Sequence, residues 1–131
     1  MKYILSLVFC FFCFFGFSQT QAELNTMQYD SYKKTDKKLN EVYQAILKAY
    51  KSDTEFIKNL RTSQRIWITF RDAEVKVKYP DREDGYYGSI HPLCVSLYLE
   101  ELTLDRISTL NLWLKGSEVG DACSGSINVN N

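Results

Sequence analysis

From Gln21 to Tyr50 the chain carries neither proline nor glycine, and Tyr29, Tyr32, Leu39, Tyr43, Ile46 and Tyr50 recur at steps of three, four or their sum. At 3.6 residues per turn this spacing lays all six along one face, which predicts a long amphipathic helix. Such a face must be buried against other elements, so the rest of the chain has to supply them. Ser52-Asp53-Thr54 offers a break and an N-cap for a second helix, with Phe56, Leu60, Trp67 and Phe70 on its inner side. That helix is expected to run to about Lys78 and stop before Pro80. A third helix is expected from about Leu93 to Lys115, with Leu99, Leu102, Ile107, Leu110, Trp113 and Leu114 on one broad face. Gly116, Gly120 and Gly125 end the pattern, and the tail 116–131 reads as irregular, held at most by Cys123. The expected fold is all-α: a small antiparallel three-helix bundle over residues 19–115, with a long loop between the second and third helices.

Four polar residues fall inside these apolar stripes. Gln64 and Arg71 point into the same arc as Phe56, Leu60 and Trp67; Asp36 lies between Tyr32 and Leu39; Arg106 sits on the face of the third helix. An unpartnered guanidinium costs several kcal/mol to bury, so the four are expected to meet in a polar network. In it Asp36, with Glu74 one turn beyond Arg71, neutralises one or both arginines while Gln64 supplies hydrogen bonds. Such a network specifies packing register more than it adds stability.

The amino terminus reads as a secretory signal peptide over residues 1–18: Lys2, an apolar run from Ile4 to Phe17, and a Gly16-Phe17-Ser18 end. The run is well short of the roughly 20 residues that span a bilayer, so a soluble product without integral membrane contact is expected, periplasmic or secreted. Cleavage is placed after Ser18, with Ala22 as the alternative. Cys10 and Cys13 leave with the signal, and the two remaining thiols, Cys94 and Cys123, are expected to pair in an oxidising compartment. The alternative is a free or intermolecular thiol. Closing a loop of about 30 residues would stabilise so small a domain by roughly 3 kcal/mol. Removing residues 1–18 takes one Lys from the 16 basic residues and none of the 16 acidic ones, leaving 15 against 16. A chain so nearly neutral lacks the basic stripe of a nucleic-acid binder.

Several of these residues together resemble the LprI-type lysozyme inhibitor family of small exported bacterial proteins. They are Gln21-x-Glu23-Leu24-Asn25, Asp36-x-x-Leu39-Asn40-x-x-Tyr43, Leu60-x-x-x-Gln64-x-x-Trp67-x-x-x-Arg71-Asp72, Gly88-Ser89, and Cys94 followed by Leu102-Thr103-x-x-Arg106-x-x-x-Leu110. The similarity covers nearly all of residues 20–110, and it implies an exported protein whose partner is a lysozyme. Members often carry a cysteine soon after the first Leu-Asn and another just after the Arg-Asp pair, where this chain has Met27 or Gln28 and Val75. The resemblance therefore implies that Cys94 pairs with Cys123 instead.

No catalytic constellation is visible. His91 is the sole histidine, a Ser89/His91 pair two residues apart in a loop is poor geometry for a nucleophile and its base, and no nucleophile elbow surrounds Ser89. One histidine and two cysteines 29 positions apart lack metal-ligand spacing, so neither metal nor cofactor is expected. Inhibiting a lysozyme needs only a protrusion or surface that covers its sugar-binding cleft. The candidate is the loop Asp81 to His91, where Tyr86 and Tyr87 offer rigid amphipathic contacts, Ser89 and the backbone beside Gly88 offer hydrogen bonds, and Asp81, Glu83 and Asp84 suit a basic enzyme. The plainer reading is that Gly88-Ser89 makes the turn into the third helix. The other functional class is an envelope helical module with a non-lysozyme partner or a structural role.

Overall fold

The computed structural model describes residues 19–129, and among them are three helices, α1 (Gln21–Ala49), α2 (Thr54–Lys78) and α3 (His91–Lys115), arranged up, down and up. Residues 1–18, read above as a signal peptide and carrying Cys10 and Cys13, lie outside the described residues. Local chemistry sets each start. Thr20 and Glu23 form a capping box, the Thr20 hydroxyl accepting the Glu23 N–H at 3.2 Å and the Glu23 carboxylate accepting the Thr20 N–H at 2.8 Å. Asp53 caps α2 by accepting the Phe56 N–H at 2.9 Å. Helix α3 begins two residues before the expected Leu93 and carries Pro92 in its first turn, where a missing N–H costs nothing.

The core is Leu39, Ile46, Tyr50, Leu60, Ile107 and Leu110, flanked by Val42, Tyr43, Leu47, Phe56, Ile57, Trp67 and Trp113. At the α1–α2 corner Tyr50 stacks on Phe56 with ring centroids 4.3 Å apart, and Trp113 meets the Phe56 ring edge-on at 5.1 Å. The packing is uneven. Helices α1 and α3 run side by side along their length, whereas α2 touches α3 at few points. Ser96 and Thr103 explain the closeness of the first pair. Both are buried on α3, small enough to admit α1, and each returns its hydroxyl to its own helix, to Pro92 O at 2.9 Å and Leu99 O at 2.6 Å.

Three expectations are corrected. Phe70 is half exposed rather than inward, because it lies about 80° around α2 from Leu60, outside the narrow strip this loosely packed helix buries. Cys94 and Cys123 are both free thiols, so the fold has no disulfide among the described residues. Cys94 lies in the first turn of α3 and Cys123 beyond its other end, and the intervening helix spans about 33 Å, against the roughly 7 Å a disulfide tolerates. The tail is held, but not by Cys123. Ser117 donates its N–H to Asn128 O at 2.9 Å, Ser117 and Val129 form an isolated parallel bridge, and Asn128 donates its N–H to the Tyr50 hydroxyl at 3.0 Å. That same hydroxyl donates to Trp113 O at 2.9 Å, so Tyr50 joins the tail to the ends of α1 and α3.

Candidate functional site

Helical phase brings Asp36 of α1 and Arg71 of α2 to the same level of the bundle. The Arg71 Nη1 lies 3.3 Å from Asp36 Oδ1, and its Nε and Nη2 lie 3.0 and 2.9 Å from Asp72 Oδ1. The Arg71 side chain is only 12 % exposed while Asp36 is 33 % exposed, so the pair sits at the edge of the core and water reaches the carboxylate. Gln64 does not join them. Its Oε1 accepts the Arg106 Nε–H at 3.0 Å, and the Ser63 hydroxyl accepts from Arg106 Nη2 at 3.1 Å. Glu74 also goes elsewhere, accepting the Tyr98 hydroxyl at 3.4 Å, while Lys78 Nζ sits 3.8 Å over the Tyr98 ring. What the two arginines share is Trp67, over whose ring their guanidinium carbons lie at 5.3 and 5.8 Å.

These contacts shift the titratable groups around them. Loss of solvent lowers the pKa of Arg106 from the usual arginine range. Burial raises the Tyr32 phenol, opposed by Arg71 and reinforced by Asp36 and Asp72. Tyr98 is raised by desolvation and then by the Glu74 carboxylate that accepts its hydroxyl.

A second clasp, between α1 and α3, escaped the sequence reading. Glu100 accepts hydrogen bonds from Gln28 Nε2, from the Ser31 hydroxyl at 2.9 Å and from the Thr35 hydroxyl at 2.9 Å, all on α1. The signal was present. Glu100 precedes Ile107 by seven residues and so shares its inward face, the same criterion that singled out Gln64 and Arg71.

The loop between α2 and α3 is built around aromatic rings. Tyr87 stacks on His91 with centroids 4.5 Å apart, meets Tyr79 and Tyr86 edge-on at 5.7 and 4.9 Å, and donates its hydroxyl to Pro80 O at 2.8 Å. Tyr87 is thereby half buried, whereas Tyr86 is 61 % exposed, with Arg82 5.8 Å from its ring centroid. Gly85 and Gly88 take φ of +82° and +70°, and the Gly88 N–H donates to Gly85 O at 3.0 Å, a turn that a side chain at either position would strain. Ser89 is exposed at its side chain, but its carbonyl accepts from Asn25 Nδ2 at 2.9 Å, and Asn25 in turn accepts from Gln21 Nε2 at 2.9 Å. The start of α1 therefore holds the end of the loop. His91 presses its ring against Tyr79 and Tyr87, and its Nδ1 is buried without a hydrogen-bond partner, so that nitrogen accepts nothing from Ser89. Burial raises the Tyr79 phenol, with Cys94 and Tyr87 contributing. A concavity of about 230 Å³ lies within this loop, and a larger groove of about 540 Å³ separates α2 from the last turns of α3.

Among the described residues no helix is long and apolar enough to cross a membrane, and no group of three or more histidine, cysteine, aspartate or glutamate side chains is placed to hold a metal ion. Compared with models of known protein families, residues 17–110 match the family described as lysozyme inhibitor LprI. Searches of the curated proteins and of the solved structures return no match.

Proposed function

Because the chain belongs to the LprI lysozyme inhibitor family, we propose that it is an exported protein that binds a lysozyme and occludes its sugar-binding cleft with the loop Asp81 to His91. The observation that carries this reading is the combination of an open Tyr86 with a fixed support. Tyr86 is 61 % exposed, yet it stands on Tyr87, which is stacked on His91 and bonded to Pro80, and the end of the loop is tied to Asn25. A rigid, preorganised aromatic loses little conformational entropy on docking, which is where binding hot spots concentrate. The acidic Asp81, Glu83 and Asp84 beside it favour a basic partner surface. No step of this activity requires chemistry from the inhibitor.

The test is a turbidity assay of lysozyme action on cell walls, with binding titrated against several lysozyme types. Replacing Tyr86, Tyr87 and Ser89 together by Ala is expected to abolish inhibition, and undiminished inhibition by the folded triple variant excludes the loop. Tyr86→Ala alone separates contact from support: it is expected to weaken binding at least tenfold while leaving the melting temperature unchanged. A second reading, an envelope helical module with a non-lysozyme partner, is favoured by the outer face of α2, where Ile66, Phe70 and Val77 are 64, 50 and 75 % exposed. Failure to bind any lysozyme type supports that reading.

A further inference from the structure

The groove between α2 and α3 has a different character from the loop, and its chemistry is independent of the lysozyme reading. Its wall is apolar and aromatic, formed by Phe56, Leu60, Leu110 and Trp113, and one end is closed by Arg106. At about 540 Å³ it falls within the size range of small-molecule sites. Arg106 is half buried, yet among the described residues no carboxylate lies within 4.0 Å of its guanidinium. It is held by two neutral acceptors, Gln64 Oε1 and the Ser63 hydroxyl, which occupy two of its five N–H donors. Arg71, by contrast, meets both Asp36 and Asp72. One arginine is paired with carboxylates, and the other is oriented by an amide, a hydroxyl and the Trp67 ring.

We propose that this groove is a binding site for a small organic carboxylate with an aromatic or aliphatic body, the carboxylate pairing with Arg106 and the body lying against Phe56 and Trp113. The remaining guanidinium donors suit a carboxylate, which accepts charge-assisted hydrogen bonds in the same planar geometry. The acidic residues at the opposite end restrict the choice. Asp53 also lines the groove, but it is committed to capping α2 and lies ten residues from Ser63, about 15 Å along the helix. Glu55 faces Lys58 at 3.6 Å. An anion is therefore favoured only at the Arg106 end, which selects monocarboxylates over dicarboxylates.

Both tryptophans of the chain report on the site, since Trp113 lines it and Trp67 lies under Arg106. Titrating 3-phenylpropionate into the purified protein is expected to change tryptophan fluorescence saturably, with half-saturation at about 1 mM for so small a ligand. The uncharged 3-phenylpropionamide is expected to bind at least tenfold more weakly. Thr109 is exposed and lines the groove one turn from Arg106, so Thr109→Glu supplies a carboxylate in place of the ligand's without touching Gln64 or Ser63. It is expected to keep the parent's circular dichroism and to lose at least tenfold in affinity. Equal binding of acid and amide, undiminished affinity in Thr109→Glu, or no response up to about 10 mM overturns the proposal. Lysozyme inhibition is not involved in any of these readouts, so the two proposals fail separately.

Discussion

Arg71 and Arg106 show how the same residue type, partly buried in both places, comes to different electrostatic surroundings. Arg71 has Asp36 across the bundle and Asp72 beside it, whereas the hydrogen bonds of Arg106 go to an amide and a hydroxyl. Glu100 is the mirror case, a carboxylate satisfied by neutral donors from another helix. Replacing it by Ala strands one amide and two hydroxyls at the α1–α3 interface and is expected to cost about 2 kcal/mol, read from urea unfolding. No change in the midpoint would mean that water substitutes for the carboxylate. The tyrosines make a pH prediction. Tyr32, Tyr79 and Tyr98 all have folded pKa values raised above the ordinary 10.0, so folding favours their protonated forms. Their contribution is fully present below pH 10 and is lost as the pH rises through the folded values, because the unfolded chain then releases protons that the folded one retains. The melting temperature is expected to fall above about pH 10, and a flat profile there contradicts the assignment.

Among the elements, α2 stands apart. It buries only a narrow strip, Leu60 and Gln64, with Trp67 and Arg71 partly covered, so Phe70 and Ile66 remain outside although the sequence period alone admitted Phe70 to the core. The absent disulfide belongs to the same scale. A thiol in the first turn of a 25-residue helix and another beyond its far end lie too far apart to pair, whatever the redox compartment. Reducing agent and Cys123→Ser are each expected to leave the melting temperature within about 1 °C of the parent, since an exposed unpaired thiol contributes little. A drop of several degrees on reduction would require a cross-link. The tail is fastened back onto the bundle by hydrogen bonds from Ser117 to Asn128 and from Asn128 to Tyr50 instead.

For the molecule as a whole, the two ends of the bundle are closed by different means. Tyr50, Phe56 and Trp113 gather α1, α2 and α3 at one end, while Gln21, Asn25 and Ser89 tie the loop to α1 at the other. This bears on export. Cleavage after Ser18 preserves Thr20 as the cap of α1 and Gln21 as the support of Asn25, whereas cleavage after Ala22 removes both. If residues 1–18 are removed as the sequence leads one to expect, amino-terminal sequencing of the mature chain is expected to begin at Gln19, and a start at Glu23 would mean that the loop is anchored without that support.

The three helices were legible from the chain alone because their causes are local: apolar residues at helical spacing, Asp53 as a cap, and Pro80 and the glycines as stops. So was the inward placement of Gln64 and Arg71, since helical phase follows from residue number. Partners were a different matter. That Gln64 meets Arg106 rather than Asp36, that Glu74 turns to Tyr98, that Glu100 collects three donors, and that Cys94 and Cys123 lie at opposite ends of the fold all depend on how the helices are rotated and slid against one another. Hydrophobic period fixes which face turns inward but leaves axial register and spacing free, and those are decided only when Ser96 and Thr103 admit α1 and the bulk of Trp67 and the arginines holds α2 away.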